Sequence, residues 1–347
     1  MTLIGEVAAA LDAADRLILD QSAPLVSAAV VVVVGSTALA AAARELGAAE
    51  VRVSDDSDAT TSTLEPALFT GATVVLLRLP KSLAALQHAA RVIASAAPAD
   101  IVVVSGGRLK YMTVGMNEVL LRSFGRLDVS HARQKSRVLT ARQPLAVAGC
   151  DSVRKHDADL GLWVAAVGGV FAGAAVDIGT RTLLSVFGRL PEYATAIDLG
   201  CGTGILAVAM KRRRPSAHVI ASDLSAEAVQ SARETASAND VDIEVVREAL
   251  LSSQPDSSAD LIVLNPPFHD GGALSTDTAL AMFAQAGRVL RPGGQLWTVF
   301  NSHLGYLKAL DGAVGPTTQI THNAKFTVTA STKRAAQTAP SHLIPGA

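Results

Sequence analysis

The stretch Asp198-Leu199-Gly200-Cys201-Gly202-Thr203-Gly204 leaves this chain few folds to choose from. Ala196 to Leu199 reads as a buried strand and Ile205 to Arg212 as a helix, with alternate glycines between them. Glycines there let the backbone pass close to a ligand, and the helix-end N–H groups point at it. Such a turn belongs to a parallel sheet wrapped by helices. The flanking sequence supplies that sheet. Val219 to Ser222 is a strand ending in Asp223-Leu224, followed by a helix from Ala226 to Ala238. Ile243 to Val246 is a third strand, ending at Arg247-Glu248-Ala249, and Leu261 to Leu264 is a fourth. A helix from Thr276 to Leu290, the turn Pro292-Gly293-Gly294, a strand from Gln295 to Phe300, a last helix and strands around Ile320 and Phe326 complete the pattern.

The first half repeats the plan. A helical pattern from Glu6 to Leu19 precedes strands at Ala28 to Val34, Val51 to Ser54, Thr73 to Leu79 and Ile101 to Val104, with a helix from Leu83 to Ser95. Hydrophobic residues make up 49 % of the chain and aromatic ones only 4 %, so both cores are expected to be aliphatic. Val74-Val75-Leu76-Leu77-Arg78-Leu79-Pro80 aligns with Leu261-Ile262-Val263-Leu264-Asn265-Pro266-Pro267, but only one proline remains. The turn after the first strand carries Gly35 alone. The expectation is an α/β chain of two duplicated Rossmann-like domains whose N-terminal copy is degenerate. Residues 1–150 form that copy, 151–167 a connection, 168–334 the ligand-binding copy and 335–347 a disordered tail.

Three features set the chemistry. The glycine spacing is G-x-G-x-G, whereas a dinucleotide fingerprint is G-x-G-x-x-G. Asp223 ends the second strand, where its two oxygens can hold a ribose diol. Asn265-Pro266-Pro267-Phe268 ends the fourth strand as a stiff corner. Asn265 Oδ1 and the Pro266 carbonyl can accept both N–H bonds of a planar amine, and Phe268 can stack on the ring that carries it. His269 and Asp270 read as exposed loop positions or substrate contacts, Cys201 as no nucleophile, and Asp177 and Phe171 as either cofactor-mouth or packing residues. Cys150 and Cys201 make no disulfide framework and no metal-ligand spacing, so no metal is expected.

The formal net charge of −1 points to no global polyanion binding. Yet Arg108, Lys110, Arg122, Arg126, Arg133, Lys135, Arg137 and Arg142 face only Glu118 and Asp128 in their stretch. That run is either a solvated face or a phosphate-facing patch. The longest apolar run, Leu25 to Val34, is too short to span a bilayer, and no signal peptide is legible, so a cytoplasmic protein without membrane contact is expected.

These motifs resemble class I S-adenosylmethionine-dependent methyltransferases, in particular the subset acting on amino groups conjugated to planar systems. Gly169-Val170-Phe171, Val176-Asp177-Ile178-Gly179, the glycine loop and Asn265-Pro266-Pro267-Phe268-His269-Asp270-Gly271 together look like the bacterial two-domain ribosomal RNA guanine-N2 methyltransferases. Asn301-Ser302-His303-Leu304-Gly305-Tyr306 and Asn323-Ala324-Lys325-Phe326 are more similar to the large-subunit (23S) than to the small-subunit (16S) enzymes. The resemblance implies a monomeric enzyme acting on ribosomal RNA. It places S-adenosyl-L-methionine against Asp198, Gly200, Cys201, Gly202, Gly204, Asp223, Leu224, Glu248, Ala249 and Asn265. Catalysis falls to Asn265, Pro266, Pro267 and Phe268, and RNA contact to Arg108, Lys110, Arg133, Lys135 and Arg137. One departure is Glu248-Ala249, where the family often has Asn or Asp against the adenine amine. Alternatives are a 16S enzyme, a glutamine or adenine-N6 methyltransferase, and an inactive RNA-binding assembly factor; the intact Asp198, Gly200, Gly202, Asp223 and Asn265 argue against the last.

Overall fold

The computed structural model describes residues 11–58, 60–146, 152–168, 170, 173–267 and 273–334. The chain divides into two compact units, Met1–Ala175 with Leu224–Ala238, and Val176–Asp223 with Asn239–Ala347. The expected tail lies outside the described residues.

In the first unit, strands β1 (Val30–Val34), β2 (Glu50–Ser54), β3 (Val74–Arg78), β4 (Val102–Arg108), β5 (Phe124–Val129) and β6 (Ser136–Pro144) form one sheet in the order β2-β1-β3-β4-β6-β5. The first four positions are parallel, and β6 runs antiparallel to both β4 and β5. The all-valine β1 shows why: a strand buried on both faces needs no polar alternation. Val31 and Val33 pack in one core with Ile18 of helix α1 (Ala13–Val26) and Leu39 of α2 (Thr37–Glu45). Val32 packs in the other with Ile93 of α3 (Leu83–Ala96) and Leu120 of α4 (Val114–Leu121).

The part of the expected Glu6–Leu19 helix before residue 11 lies outside the described residues, and helix α1 is capped by Asp12. Its carboxylate accepts the Ala14 and Asp15 N–H groups at 2.8 and 3.0 Å, and Asp15 returns a bond to the Asp12 N–H. The stretch expected to be a mere connection contains a hairpin, β7 (Val153–Asp157) with β8 (Leu162–Ala166). Residues Val153 to His156 are all exposed, so no apolar–polar alternation announces the first strand. The hairpin is tied to the helix Ala226–Ala238: Thr235 and Ser231 hydroxyls accept the Ala165 and Val167 N–H groups, each at 2.9 Å.

In the second unit, β9 (Thr195–Leu199), β10 (His218–Asp223), β11 (Glu244–Arg247), β12 (Ala259–Leu264), β13 (Leu290–Asn301), β14 (Thr317–His322) and β15 (Phe326–Thr332) form a sheet in the order β11-β10-β9-β12-β13-β15-β14. β15 runs antiparallel to both β13 and β14, and the other neighbouring pairs are parallel. Pro292-Gly293-Gly294, expected as a turn before the strand, lies within β13, where the register jumps from Ala259↔Leu290 to Leu261↔Gln295. Ile197, Leu199, Ile262 and Leu264 pack against Phe283, Tyr306 and Leu310 on one face. Matching β1, β2, β3, β4, β5 and β6 to β9, β10, β12, β13, β14 and β15 reproduces the order of this sheet without its outer strand β11. Duplication is therefore visible in topology, and β3 falls on β12 as the aligned sequences require.

Arg78, at the end of β3, closes the corresponding corner of the first unit. Its guanidinium donates to Asp12 Oδ1 at 2.8 Å and Asp15 Oδ1 at 3.1 Å, and also contacts Asp12 Oδ2. Burial raises the Asp15 carboxyl above its ordinary value despite the pull of Arg78. At Asp12 the burial penalty is outweighed, by the Arg78 hydrogen bond first, and its carboxyl lies below the ordinary range. Arg78→Ala should therefore destabilise the N-terminal unit by about 1–3 kcal/mol, seen as a lower denaturant midpoint for its unfolding transition. An unchanged midpoint would mean that solvent compensates the two carboxylates as well as the guanidinium does.

Candidate active site

The second unit gathers its polar groups at the C-terminal ends of β9, β10 and β12. Asp198, the penultimate residue of β9, is buried, and its Oδ2 accepts the Ala207 N–H of the helix Ile205–Arg213 at 3.0 Å. Burial pushes the Asp198 carboxyl up to about 7; the Ala207 bond opposes this and the Asp223 charge adds to it. The loop then folds onto the end of β10. Gly200 and Cys201 donate their N–H groups to the Ser222 carbonyl at 2.8 and 3.0 Å. Gly202, at φ +53°, donates to Asp223 Oδ2 at 2.9 Å, and a Cβ built on it would meet nothing. The concave side of the loop is therefore open, with an aspartate held at its rim.

Cys201 is buried, and burial together with the Asp223 and Asp198 charges pushes its thiol well above the ordinary value. It stays protonated and inert at neutral pH. Glu248 is buried too, and every oxygen it has is engaged. Oε1 accepts from Ser222 Oγ and Gln254 Nε2, both at 3.1 Å, and Oε2 from the Ser253 N–H and hydroxyl at 2.6 and 2.7 Å. It organises the turn that carries the exposed Ala249 and the left-handed Leu250 and Leu251. Leu224 directly follows Asp223 in the chain.

Asn265 follows β12. Helix α5 (Ile178–Leu184) is capped by Asp177, whose Oδ1 accepts the Gly179 and Thr180 N–H groups at 2.8 and 3.2 Å. Asn265 Nδ2 lies 3.3 Å from Asp177 Oδ2 and 2.9 Å from Thr180 Oγ1. A carboxylate only accepts, so the amide must turn its NH2 toward Asp177 and its oxygen away. Asn265 Oδ1 is buried and has no hydrogen-bond partner among the described residues. Gly179 and Phe326 border it: a Cβ on Gly179 would stand 3.3 Å from Asn265 Oδ1 and 3.3 Å from Phe326 Cε1. An unmet buried acceptor costs about 1–3 kcal/mol, which a ligand N–H would recover.

The arrangement has a counterpart in the first unit. There the cap is Asp12, the residue three further on is Asp15, and the strand-end partner is Arg78; here they are Asp177, Thr180 and Asn265. The two halves keep one frame and differ in what closes it. Sequence reasoning assigned Asp177 to a cofactor mouth or to packing and missed Thr180, Gly179 and Phe326. The spacing Asp177-x-Gly179-Thr180 is a helix-start signal that could have located the cap, but not its partner. Pro266 is buried and Pro267 exposed, while Phe268, His269, Asp270 and Phe171 lie outside the described residues.

The basic stretch of the first unit is partly spent on internal pairs. Arg126 and Arg142 share Asp128, and Arg133 contacts Asp20 at 3.2 Å. Gln134 and Lys135 form the tip of the β5–β6 turn, both left-handed and exposed. Arg137 is half-buried, Arg108 half-buried and Lys110 exposed. Among the described residues no group of three His, Cys, Asp or Glu side chains could hold a metal ion. No described helix is long and apolar enough to cross a membrane.

The Methyltransferase small domain family matches residues 161–330, and the RLMG N-terminal domain family residues 23–145. The Ribosomal RNA large subunit methyltransferase G of Streptomyces avermitilis is 35 % identical over 270 residues, 75 % of this chain and 71 % of its own length. That of Shewanella amazonensis is 33 % identical over 270 residues, 75 % of this chain and 69 % of its own. Among solved structures, a T. thermophilus 16S rRNA N2 methyltransferase in complex with AdoMet and guanosine superposes with a TM-score of 0.71 at 19 % identity, covering 93 % of this chain and 92 % of that one. At that identity the likeness concerns the fold.

Asp177→Asn tests the orienting contact. Asparagine caps a helix about as well as aspartate, so stability should stay within about 0.5 kcal/mol. The new amide can donate as well as accept, so Asn265 is no longer held one way round. Turnover should fall about tenfold or more, and Asp177→Asn activity equal to wild type would remove Asp177 from the site.

Proposed function

Since the chain belongs to the Ribosomal RNA large subunit methyltransferase G family, we propose that it transfers a methyl group from S-adenosylmethionine to the exocyclic N2 of a guanine in large-subunit ribosomal RNA. The observation that carries this reading is Asn265 Oδ1 at the end of β12, buried and without a hydrogen-bond partner among the described residues. It is an acceptor with its orientation enforced, and it asks for an N–H donor.

The glycine loop fits the cofactor. The open side of Gly202 leaves room for a ligand against the backbone, and Asp223 at the rim suits a ribose diol. Asp198, Gly200, Cys201, Gly202, Gly204, Asp223 and Leu224 hold it, with Ala249 against its adenine on the turn that Glu248 organises. The sulfonium supplies an activated methyl group, so the protein has mainly to align and desolvate. The guanine N2 lone pair is delocalised into the ring. Asn265 Oδ1 and the Pro266 carbonyl accept its two N–H bonds, which favours a tetrahedral nitrogen and aims the lone pair at the methyl. Phe268 stacks on the base, which must leave its neighbours in the RNA to reach this corner. No strong base is needed, because the methylated nitrogen is acidic until it loses a proton. The catalytic domain is residues 168–334. The N-terminal copy positions RNA through Arg108, Lys110, Arg133, Lys135 and Arg137, and the enzyme works as a cytoplasmic monomer.

Two substitutions separate the roles. Asn265→Ala should remove most turnover and leave cofactor affinity within a few-fold. Asp223→Ala should weaken cofactor binding by about 1–3 kcal/mol. Calorimetric titration with S-adenosylmethionine, beside a methylation assay on ribosomal RNA mapped by modified guanine, reads both; equal loss of cofactor binding in the two variants would refute the assignment.

Asp198 makes cofactor binding pH-dependent. Its carboxyl titrates at about 7 without the cofactor, and a cationic ligand favours the ionised form. Affinity should therefore rise from pH 6 to 8, with protons released on binding, and the dependence should vanish in Asp198→Asn. The same raised value means that this group's contribution to stability is full below the ordinary carboxylate pKa and is lost as pH climbs through about 7. Flat affinity across that range would contradict the assigned electrostatics.

A further inference from the structure

We propose that the N-terminal unit carries a stacking platform for an unpaired RNA nucleotide, built from Tyr111 between Lys81 and Lys110. The inference rests on the RNA-methylating reading above and gives the degenerate copy a site of its own. Lys81 follows β3 and Tyr111 ends the short turn Leu109–Tyr111 that follows β4. Both therefore stand at the C-terminal edge of parallel strands, the edge at which open α/β sheets bind ligands. In the second unit that edge belongs to the glycine loop and Asn265. Here Gly35 and Arg78 close the inner part, and the outer part carries an aromatic ring instead.

Tyr111 is 42 % exposed, large for a tyrosine in a chain so poor in aromatics. The Lys110 and Lys81 ammonium groups lie 4.5 and 4.7 Å from its centroid. Neither lysine has an acidic partner among the described residues. Two like charges thus gather on one ring with only its quadrupole to hold them, worth about 0.5–1 kcal/mol each at an exposed site. Leu83 and Val114, two and three residues on from Lys81 and Tyr111 in the chain, are exposed, and Leu83 Cδ1 would stand 3.1 Å from a Cβ at Gly115. This edge thus carries an exposed ring with two ammonium groups on it and exposed apolar side chains nearby in the chain.

A single-stranded nucleotide satisfies every part of it. Its phosphates take the two flexible ammonium groups, which release the ring. Its base then stacks on Tyr111, with Leu83 and Val114 as an apolar border. Duplex RNA offers the phosphates but keeps its base faces stacked. An acidic protein segment would answer the lysines and leave the ring without a partner of its own shape.

Fluorescence anisotropy of the full-length protein with a labelled single-stranded oligoribonucleotide, and with a duplex of equal length, tests this. Tyr111→Ala should weaken single-strand binding about tenfold, and Tyr111→Phe and Tyr111→Trp should stay within about twofold. Duplex binding should change little in all three. Lys81→Gln with Lys110→Gln should reduce the salt slope by about 1.4, two phosphate contacts at about 0.7 each, whereas Tyr111→Ala should leave the slope as it is. Unchanged S-adenosylmethionine affinity controls for folding. Wild-type binding by Tyr111→Ala, or a Tyr111→Phe variant as weak as Tyr111→Ala, would overturn the platform while leaving guanine methylation intact. Conversely, Tyr111-dependent binding by a wild-type protein that methylates no guanine would refute the proposed reaction and keep the platform.

Discussion

The second unit depends on a carboxylate that can only accept. Asp177 spends one oxygen on capping a helix and turns the other toward Asn265, so the Asn265 amide has one permissible orientation. Thr180, one helical turn into the same element, receives the other donor contact at 2.9 Å. What remains is an oxygen buried without a partner among the described residues, its direction fixed by two side chains. Preorganisation of this kind concentrates the cost of the site in the folded protein, so little reorganisation is needed when an amine arrives.

The same frame is present twice with opposite outcomes. In the first unit a helix cap, the residue three positions on and a strand-end side chain again converge, but the last is Arg78 and the two before it are acids. A guanidinium between two carboxylates is self-satisfied and leaves nothing for a ligand to complete. Replacing an amide by a cation, and a threonine by an aspartate, converts a receptive corner into a closed one. The sheet order survives, short of one outer strand, because the valine- and leucine-rich strands and their flanking helices still bury both faces.

Around the glycine loop a second division of labour holds. Asp223 steadies the loop through Gly202 while standing at its open rim. Glu248, expected from the resemblance to stand against the cofactor, has both carboxylate oxygens taken by Ser222, Ser253 and Gln254. A side chain with four donors on two oxygens is a brace, and it fixes a turn whose Leu250 and Leu251 take the left-handed conformation that ordinary residues avoid.

By itself the sequence determined the parts written in local order. The apolar strands, the G-x-G-x-G turn after β9, Asp223 at the end of β10 and Asn265 at the corner after β12 are legible because strand burial, glycine conformation and proline stiffness act within a few residues. The halves could be aligned for the same reason. Only the tertiary structure decided which groups meet. Asp177 and Asn265 are 88 residues apart, and Arg78 and Asp12 are 66. Neither pairing leaves a periodicity or a spacing to read. The β7–β8 hairpin escaped because its first strand is charged and exposed, and its stability comes from hydroxyls on a helix 70 residues on. Local physics writes elements into a sequence, whereas the orientation of a single amide is set by which carboxylate folding brings beside it.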